Sequence, residues 1–259
     1  MDEHSWRQLT IAYPGRTSQE GERQALAHLG RVLPAAENAG LIREWWYIRK
    51  GAWRVRYLPA DDPDGQKQAH RLLTAEVAWT RDIYEPETHA FGGEQAMTTA
   101  HTLFHHDSRH LLGYLQENPA DRRERSLILC TALMRAAAMD IYEQGDVWAR
   151  VVEHRAGHLQ QPPDPRTWAA FTSDVRHLLT GTVHATGDWH AAFEAAGTDL
   201  RHLRDSGKLT RGLRAVITQH VIFHWNRLGL PAATQAALAR AAKESIFSGE
   251  LAARPGMSR

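Results

Sequence analysis

Glu44-Trp45-Trp46-Tyr47-Ile48-Arg49-Lys50-Gly51-Ala52-Trp53-Arg54-Val55-Arg56-Tyr57 alternates bulky, β-favouring side chains with arginines on either side of a Lys-Gly-Ala break. The pattern predicts a hairpin of two short strands, because such residues pack well on a pleated surface and glycine lets the chain reverse. Side chains repeat with period two along a strand, so Arg54 and Arg56 project to one side while Trp53, Val55 and Tyr57 project to the other. Arg49 falls at the end of the first strand, and three guanidinium groups are expected near one sheet surface. Like charges held together are expensive to desolvate, which leaves two readings. Either the cluster is an anion site for a ligand or substrate, or aromatic neighbours and acids on a covering helix satisfy it as a structural network.

Outward from the hairpin, residues 7–13 read as an earlier strand stopped by Pro14-Gly15. Ser18 then caps a helix through Ala25, Leu26, Leu29, Val32 and Leu33 that Gly40 ends. A short helix over 67–73 and a strand over 74–84 follow the turn at Asp61-Asp62-Pro63-Asp64-Gly65. From Gly93 onward the apolar spacing becomes helical, with Met97, Ala100, Leu103, Phe104, Leu111, Leu112 and Leu115 on one stripe. Further helices are predicted over 122–142, 147–156, 166–182, 189–204, 211–228 and 232–247, with 160–165 the best linker. The expected fold class is α+β: a small antiparallel or mixed sheet in the N-terminal part, packed against a mainly helical C-terminal part. One domain is expected over 1–248, with 249–259 a disordered tail.

With 259 residues, 42% of them hydrophobic, the chain can bury a substantial core. Lys and Arg total 31 against 30 Asp and Glu, so no global basic field favours nucleic acid. The single Cys130, flanked by apolar residues, reads as core and excludes an internal disulfide. The opening Met1-Asp2-Glu3-His4-Ser5-Trp6-Arg7 lacks an apolar signal region, and no apolar run reaches the roughly 20 residues of a membrane span. A cytoplasmic protein is expected.

Three groups of residues can carry chemistry. His220, His224 and Arg227 share one face of a late helix, with Asn226 beside them. A histidine there can act as a base near neutral pH, or it can bond backbone and carboxylate partners while Asn226 and Arg227 cap the helix. His101 and His105 form a second pair at helical spacing, as do His154 and His158; among 16 histidines such spacing arises by chance, and each pair lacks the glutamate of an HExxH zinc motif. No metal and no cofactor is expected. Finally, Asp82-Ile83-Tyr84-Glu85-Pro86-Glu87-Thr88-His89-Ala90-Phe91-Gly92-Gly93 ends in paired glycines that permit a sharp entry into a helix and close approach to a ligand. Glu85 and Glu87 are candidate partners for the hairpin arginines; a plain turn explains them as well.

The 45–57 hairpin, the 84–93 run with Phe104-His105-His106-Asp107-Ser108-Arg109 behind it, and His224-Trp225-Asn226-Arg227-Leu228-Gly229 occur in this order. In that order they resemble the thiopeptide-type bacteriocin biosynthesis family, which is similar to the C-terminal glutamate-elimination domain of lantibiotic dehydratases. The resemblance runs from about Trp6 to about Ala242 and implies work on a ribosomally made precursor peptide. In such dehydratases a partner domain esterifies Ser or Thr with glutamate from glutamyl-tRNA. The elimination domain then expels glutamate to leave dehydroalanine or dehydrobutyrine. Matching motif to motif, the resemblance implies Arg54 and Arg56 as the anion-binding pair, supported by Arg49, and His224 as the base, positioned by Arg227 and Asn226. The family segment before the double glycine reads Glu-x-x-Arg-Tyr-Gly-Gly; here Glu87 is followed by Ala90 at the arginine position, with His89 beside it as the compensating substrate contact.

A stand-alone elimination subunit is therefore expected, working with a precursor peptide and a separate tRNA-dependent glutamylating subunit. It would meet no nucleic acid directly and no membrane, and a homodimer is compatible with this role. The alternatives are a pyridine-forming cyclase joining two dehydroalanines by aza-[4+2] chemistry, and a non-catalytic partner that presents the precursor, by strand addition at an edge beside the hairpin. The elimination reading expects the hairpin cations and the late imidazole to meet across a peptide-sized cleft.

Overall fold

The computed structural model describes residues 6–161, 164–181 and 187–253. Residues 162 and 163 of the expected linker, the end of the helix predicted over 166–182, and residues 254–259 of the expected tail lie outside the described residues. The chain divides into two compact units, the first holding the residues up to Pro86 with His101–Ala120 and Asn226–Gly229. The second holds Glu87–Ala100, Asp121–Trp225 and the residues from Leu230 on. The class is α+β, as the strand and helix periodicities require.

In the first unit β1 (Arg7–Ala12), β2 (Ile42–Lys50), β3 (Ala52–Pro59) and β4 (Ala78–Asp82) form one sheet in the order β2-β3-β1-β4. Every pairing is antiparallel. Trp46 stands across from Arg56 and Ile48 across from Arg54, while Arg49 stands across from Trp53. The helices of this unit are α1 (Ser18–Asn38), α2 (Pro63–Leu73) and the later part of α3 (Glu94–Gln116). The α1 cap is Thr17 rather than Ser18, its side chain accepting from the Glu20 amide at 3.2 Å. The strand expected over 74–84 is shorter, because Glu76 takes a positive φ of 62° and the Thr74 hydroxyl turns back to the His70 carbonyl at 2.7 Å.

The two sheet edges are treated differently. Along β2 the Tyr47 amide donates to Ser108 Oγ at 3.3 Å, and His105 Nδ1 lies 2.9 Å from the Trp45 carbonyl oxygen, so α3 covers that edge. All five residues of β4 are exposed.

The second unit contains α4 (Arg122–Ala136), α5 (Ile141–His154), α6 (Pro165–Thr180), α7 (Asp188–Asp205), most of α8 (Leu213–Leu228) and α9 (Ala232–Ala253). Helix α4 packs on α7, and α9 packs on both α5 and α6. Gly197 permits the first contact, since a Cβ there would run into the Leu133 carbonyl and stand 2.8 Å from Ala136 Cβ. The single helix expected over 122–142 is two helices. Ala138 takes a φ of 56°, and Asp140 starts α5 with a capping box in which its carboxylate accepts from the Glu143 amide at 2.8 Å. Trp225 stacks on Trp148 at 5.8 Å and donates to Ser126 Oγ at 3.1 Å, and Cys130 is buried. Among the described residues no helix is long and apolar enough to cross a membrane.

Candidate functional site

Strand register separates the hairpin arginines. Arg54 and Arg56 share a face with Trp46, Gln8 and Thr10, whereas Arg49 shares the other with Trp53. The expected cluster of three on one surface is thus two and one, because an odd number of residues along a hairpin arm changes the face. Arg49 pairs with Glu22 of α1 at 3.2 Å, donates to the Leu228 carbonyl at 3.4 Å and lies 4.6 Å above the Trp53 ring. Its guanidinium fills the space where Gly229 would carry a side chain, and Gly229 has a φ of 78°. Within the first unit Arg49 thus holds residues 226–229 beside β2 and α1.

On the other face Arg56 is 8% exposed. Its Nε donates to Gln8 Oε1 at 2.6 Å, and its guanidinium carbon lies 4.2 Å above the Trp46 ring and 4.4 Å above Tyr84. The Tyr84 hydroxyl stands 2.8 Å from His101 Nε2. Burial, and then the Arg56 charge, pushes the His101 pKa down to about 4, so the ring is neutral near pH 7. Arg54 is half-buried and has no carboxylate partner among the described residues. This face therefore offers one saturated cation, one available cation and a neutral imidazole.

Arg227 and Asn226 belong to the same unit. Arg227 is fully buried, bonds Asp107 at 2.8 Å and lies 4.3 Å over the Phe104 ring; Asn226 is nearly buried. Asp107 belongs to the 104–109 run that carries part of the family resemblance, but the sequence assigns it no role of its own. Nothing in its local spacing announces a partner 120 residues away.

In the second unit His224 is fully buried and its ring meets Phe193 edge-on at 5.1 Å. His220 meets Phe91 in the same way at 5.0 Å. His89 and Glu87 are exposed. Neither Glu85 nor Glu87 forms an ion pair among the described residues, and the acid on a hairpin arginine is instead Glu22 on Arg49. The paired glycines do take positive φ values, 90° at Gly92 and 108° at Gly93. The close approach they permit is made by protein: a Cβ on Gly92 would stand 2.8 Å from Leu209 and 2.9 Å from Val216. The Thr210 amide donates to the Gly92 carbonyl at 2.9 Å, and Arg211 donates to the Ala90 carbonyl at 3.1 Å. A guanidinium thus stands beside position 90, supplied from 121 residues away.

Among the described residues no group of three or more His, Cys, Asp or Glu is arranged to hold a metal ion. His105 bonds the Trp45 backbone and His101 bonds Tyr84, so that pair does not converge.

The first unit thus carries a four-stranded antiparallel sheet with arginines on its β2–β3 hairpin, and the second is helical. The chain belongs to the family described as lantibiotic biosynthesis dehydratase C-term, which matches residues 6–246. It is similar in structure to the tRNA dependent lantibiotic dehydratase MibB from Microbispora sp. 107891, with a TM-score of 0.66 and 16% identity over 98% of this chain. It spans only 29% of the MibB chain. TsrL (TM-score 0.57, 14% identity) is matched over 98% of this chain and 99% of its own. TbtD, the pyridine synthase from thiomuracin biosynthesis (TM-score 0.59, 11% identity), is matched over 96% of this chain and 100% of its own. At these identities the likeness is one of fold. No curated protein matches the chain.

Proposed function

We propose that the chain acts on a ribosomally made precursor peptide, eliminating glutamate from O-glutamylated Ser or Thr to leave dehydroalanine or dehydrobutyrine. The observation that supports this most directly is Arg54, a half-buried guanidinium on the hairpin with no carboxylate partner among the described residues. Elimination needs such a group. As the base takes the α-proton, the Cα–Cβ double bond forms, the Cβ–O bond breaks and glutamate departs with a new carboxylate charge.

Arg54 receives that carboxylate, with Arg56 beside it on the strand. Gln8, Trp46, Tyr84 and His101 hold Arg56 in place, so Tyr84 and His101 are positioning residues. Arg211 supplies a cation at Ala90, where the family pattern carries arginine. His224 takes the α-proton; since its ring is packed against Phe193, the substrate reaches it only when that packing opens. Arg227 and Asn226 fix the end of the His224 helix, and the exposed His89 and Glu87 contact the peptide. Arg49 anchors the hairpin to α1 through Glu22. The glutamyl ester comes from a separate tRNA-dependent subunit.

The test mixes the purified protein with an O-glutamylated precursor and follows peptide mass. Loss of glutamate is the expected result; an ester that survives in the presence of a competent leader overturns the proposal. The near-complete mutual coverage with TbtD favours a second reading, pyridine formation by aza-[4+2] cyclisation. A fully dehydrated precursor decides it, because that reaction releases the leader and creates a pyridine chromophore. If Arg54→Ala and His224→Ala leave product yield unchanged in a reconstituted pathway, the chain is a presenter and not an enzyme.

A further inference from the structure

A cleft of about 750 Å³ opens in the first unit between α2 and the sheet. Arg7, Tyr57, Trp79 and Arg81 lie on its sheet wall, the face opposite Arg54 and Arg56. Arg71 and Lys67 reach it from α2. The lining is strongly unbalanced in charge. Arg7, Arg71 and Arg81 have no carboxylate partner among the described residues, and the Lys67 pair with Asp64 is solvent-exposed. Asp82, the carboxylate in the lining, already accepts from Gln8 at 2.5 Å. Arg7 and Arg81 both act on the Tyr57 hydroxyl, so their charges converge on the same wall. Unpaired guanidinium groups facing one cleft attract an anionic occupant.

The cleft adjoins β4, which ends the sheet and has no strand on its outer side among the described residues. A bare edge offers a row of backbone donors and acceptors, the arrangement that another chain satisfies by adding a strand. Trp79 is 39% exposed and Ile83 is 82% exposed, which places apolar contacts beside that row. A phosphate backbone would meet the charges but leave the strand edge unpaired. A peptide main chain meets both.

We propose that the β4 edge and this cleft bind an extended peptide segment carrying carboxylates at alternate positions. The segment adds as a further strand, its alternate acidic side chains on the face that carries Arg7, Arg71 and Arg81, where their methylene stems also lie against Trp79. Taking this segment as part of the precursor rests on the function proposed above; the binding itself does not.

The probe is a fluorescein-labelled synthetic peptide alternating Glu and Val, with a Lys-for-Glu counterpart, titrated against the full chain by anisotropy. The Glu peptide is expected to bind at least about tenfold more tightly than the Lys peptide, and increasingly weakly as salt rises. Arg71→Glu with Arg81→Glu should abolish that preference; both residues are exposed, and an unchanged circular dichroism spectrum verifies the fold. Amide exchange should slow across 78–83 when the Glu peptide is bound. Absence of binding, equal affinity for the two peptides, indifference to the double reversal, protection confined to other elements, or stronger binding of a poly-uridylate oligomer would each overturn the proposal. The double variant should still process a short O-glutamylated peptide that lacks the acidic segment. Failure of docking and failure of elimination therefore read out separately.

Discussion

Arg227 and Asp107 meet at 2.8 Å with neither side chain exposed to solvent. Removing one partner strands the other charge away from water, whereas replacing both with apolar groups removes the desolvation problem. Asp107→Ala is expected to lower unfolding free energy by about 3–5 kcal/mol, while Asp107→Leu with Arg227→Met loses much less. Urea midpoints of the wild type, both single variants and the double variant check this; equal losses in single and double variants would deny the pair its role.

Gly229 is held under Arg49. Adding a methyl group there places an L residue at a φ of 78° and forces the Arg49 guanidinium off the Leu228 carbonyl and Glu22. Gly229→Ala should cost about 1–3 kcal/mol. Because the same contact is lost either way, its effect should fall well short of additive with Arg49→Ala, and a double-mutant cycle from thermal unfolding measures the coupling.

Arg54 and Arg56 lie two residues apart and should respond differently. Arg54→Ala leaves stability within about 0.5 kcal/mol, since the side chain has no carboxylate partner to lose among the described residues, yet lowers kcat for elimination by about 10²–10³-fold. Arg56→Ala lowers both, because it also opens the space between Trp46 and Tyr84. Turnover of O-glutamylated peptide alongside denaturation of each variant separates the two roles.

His101 makes stability depend on pH. Its folded pKa of about 4 lies below the ordinary 6.5. Above pH 6.5 both states are neutral and the contribution is complete. Between pH 6.5 and 4 the unfolded chain takes up a proton that the folded ring refuses, so stability falls by up to about 3 kcal/mol as the pH is lowered. His101→Gln should flatten this fall without abolishing it, because burial lowers His28, His70 and His105 as well. Urea midpoints at pH 7, 5.5 and 4.5 give the slope.

The hairpin was legible because period-two alternation over 45–57 is a local signal, and the helical stripe from Met97 to Leu115 was legible for the same reason. Where the reading missed, the signal was still local but was outweighed. Asp140 and Glu143 spell a capping box, yet the apolar run on either side favoured one continuous helix. The two glycines before α3 announced positive φ correctly and left open what would approach them; Leu209, Val216 and Thr210 do so, from a distant part of the chain.

By itself the sequence determined the α+β class, the central hairpin, the face shared by Arg54 and Arg56 and the family motifs, all of which depend on residues a few positions apart. Only the tertiary structure decided that Arg49 belongs to Glu22, that Arg227 belongs to Asp107, that Tyr84 and His101 brace Arg56, and that Arg211 stands at Ala90. Periodicity specifies which way a side chain points. Its partner depends on how distant segments pack, and every acidic side chain in the sequence is an equally good match for an arginine until the fold brings one within 3 Å and excludes water from the pair.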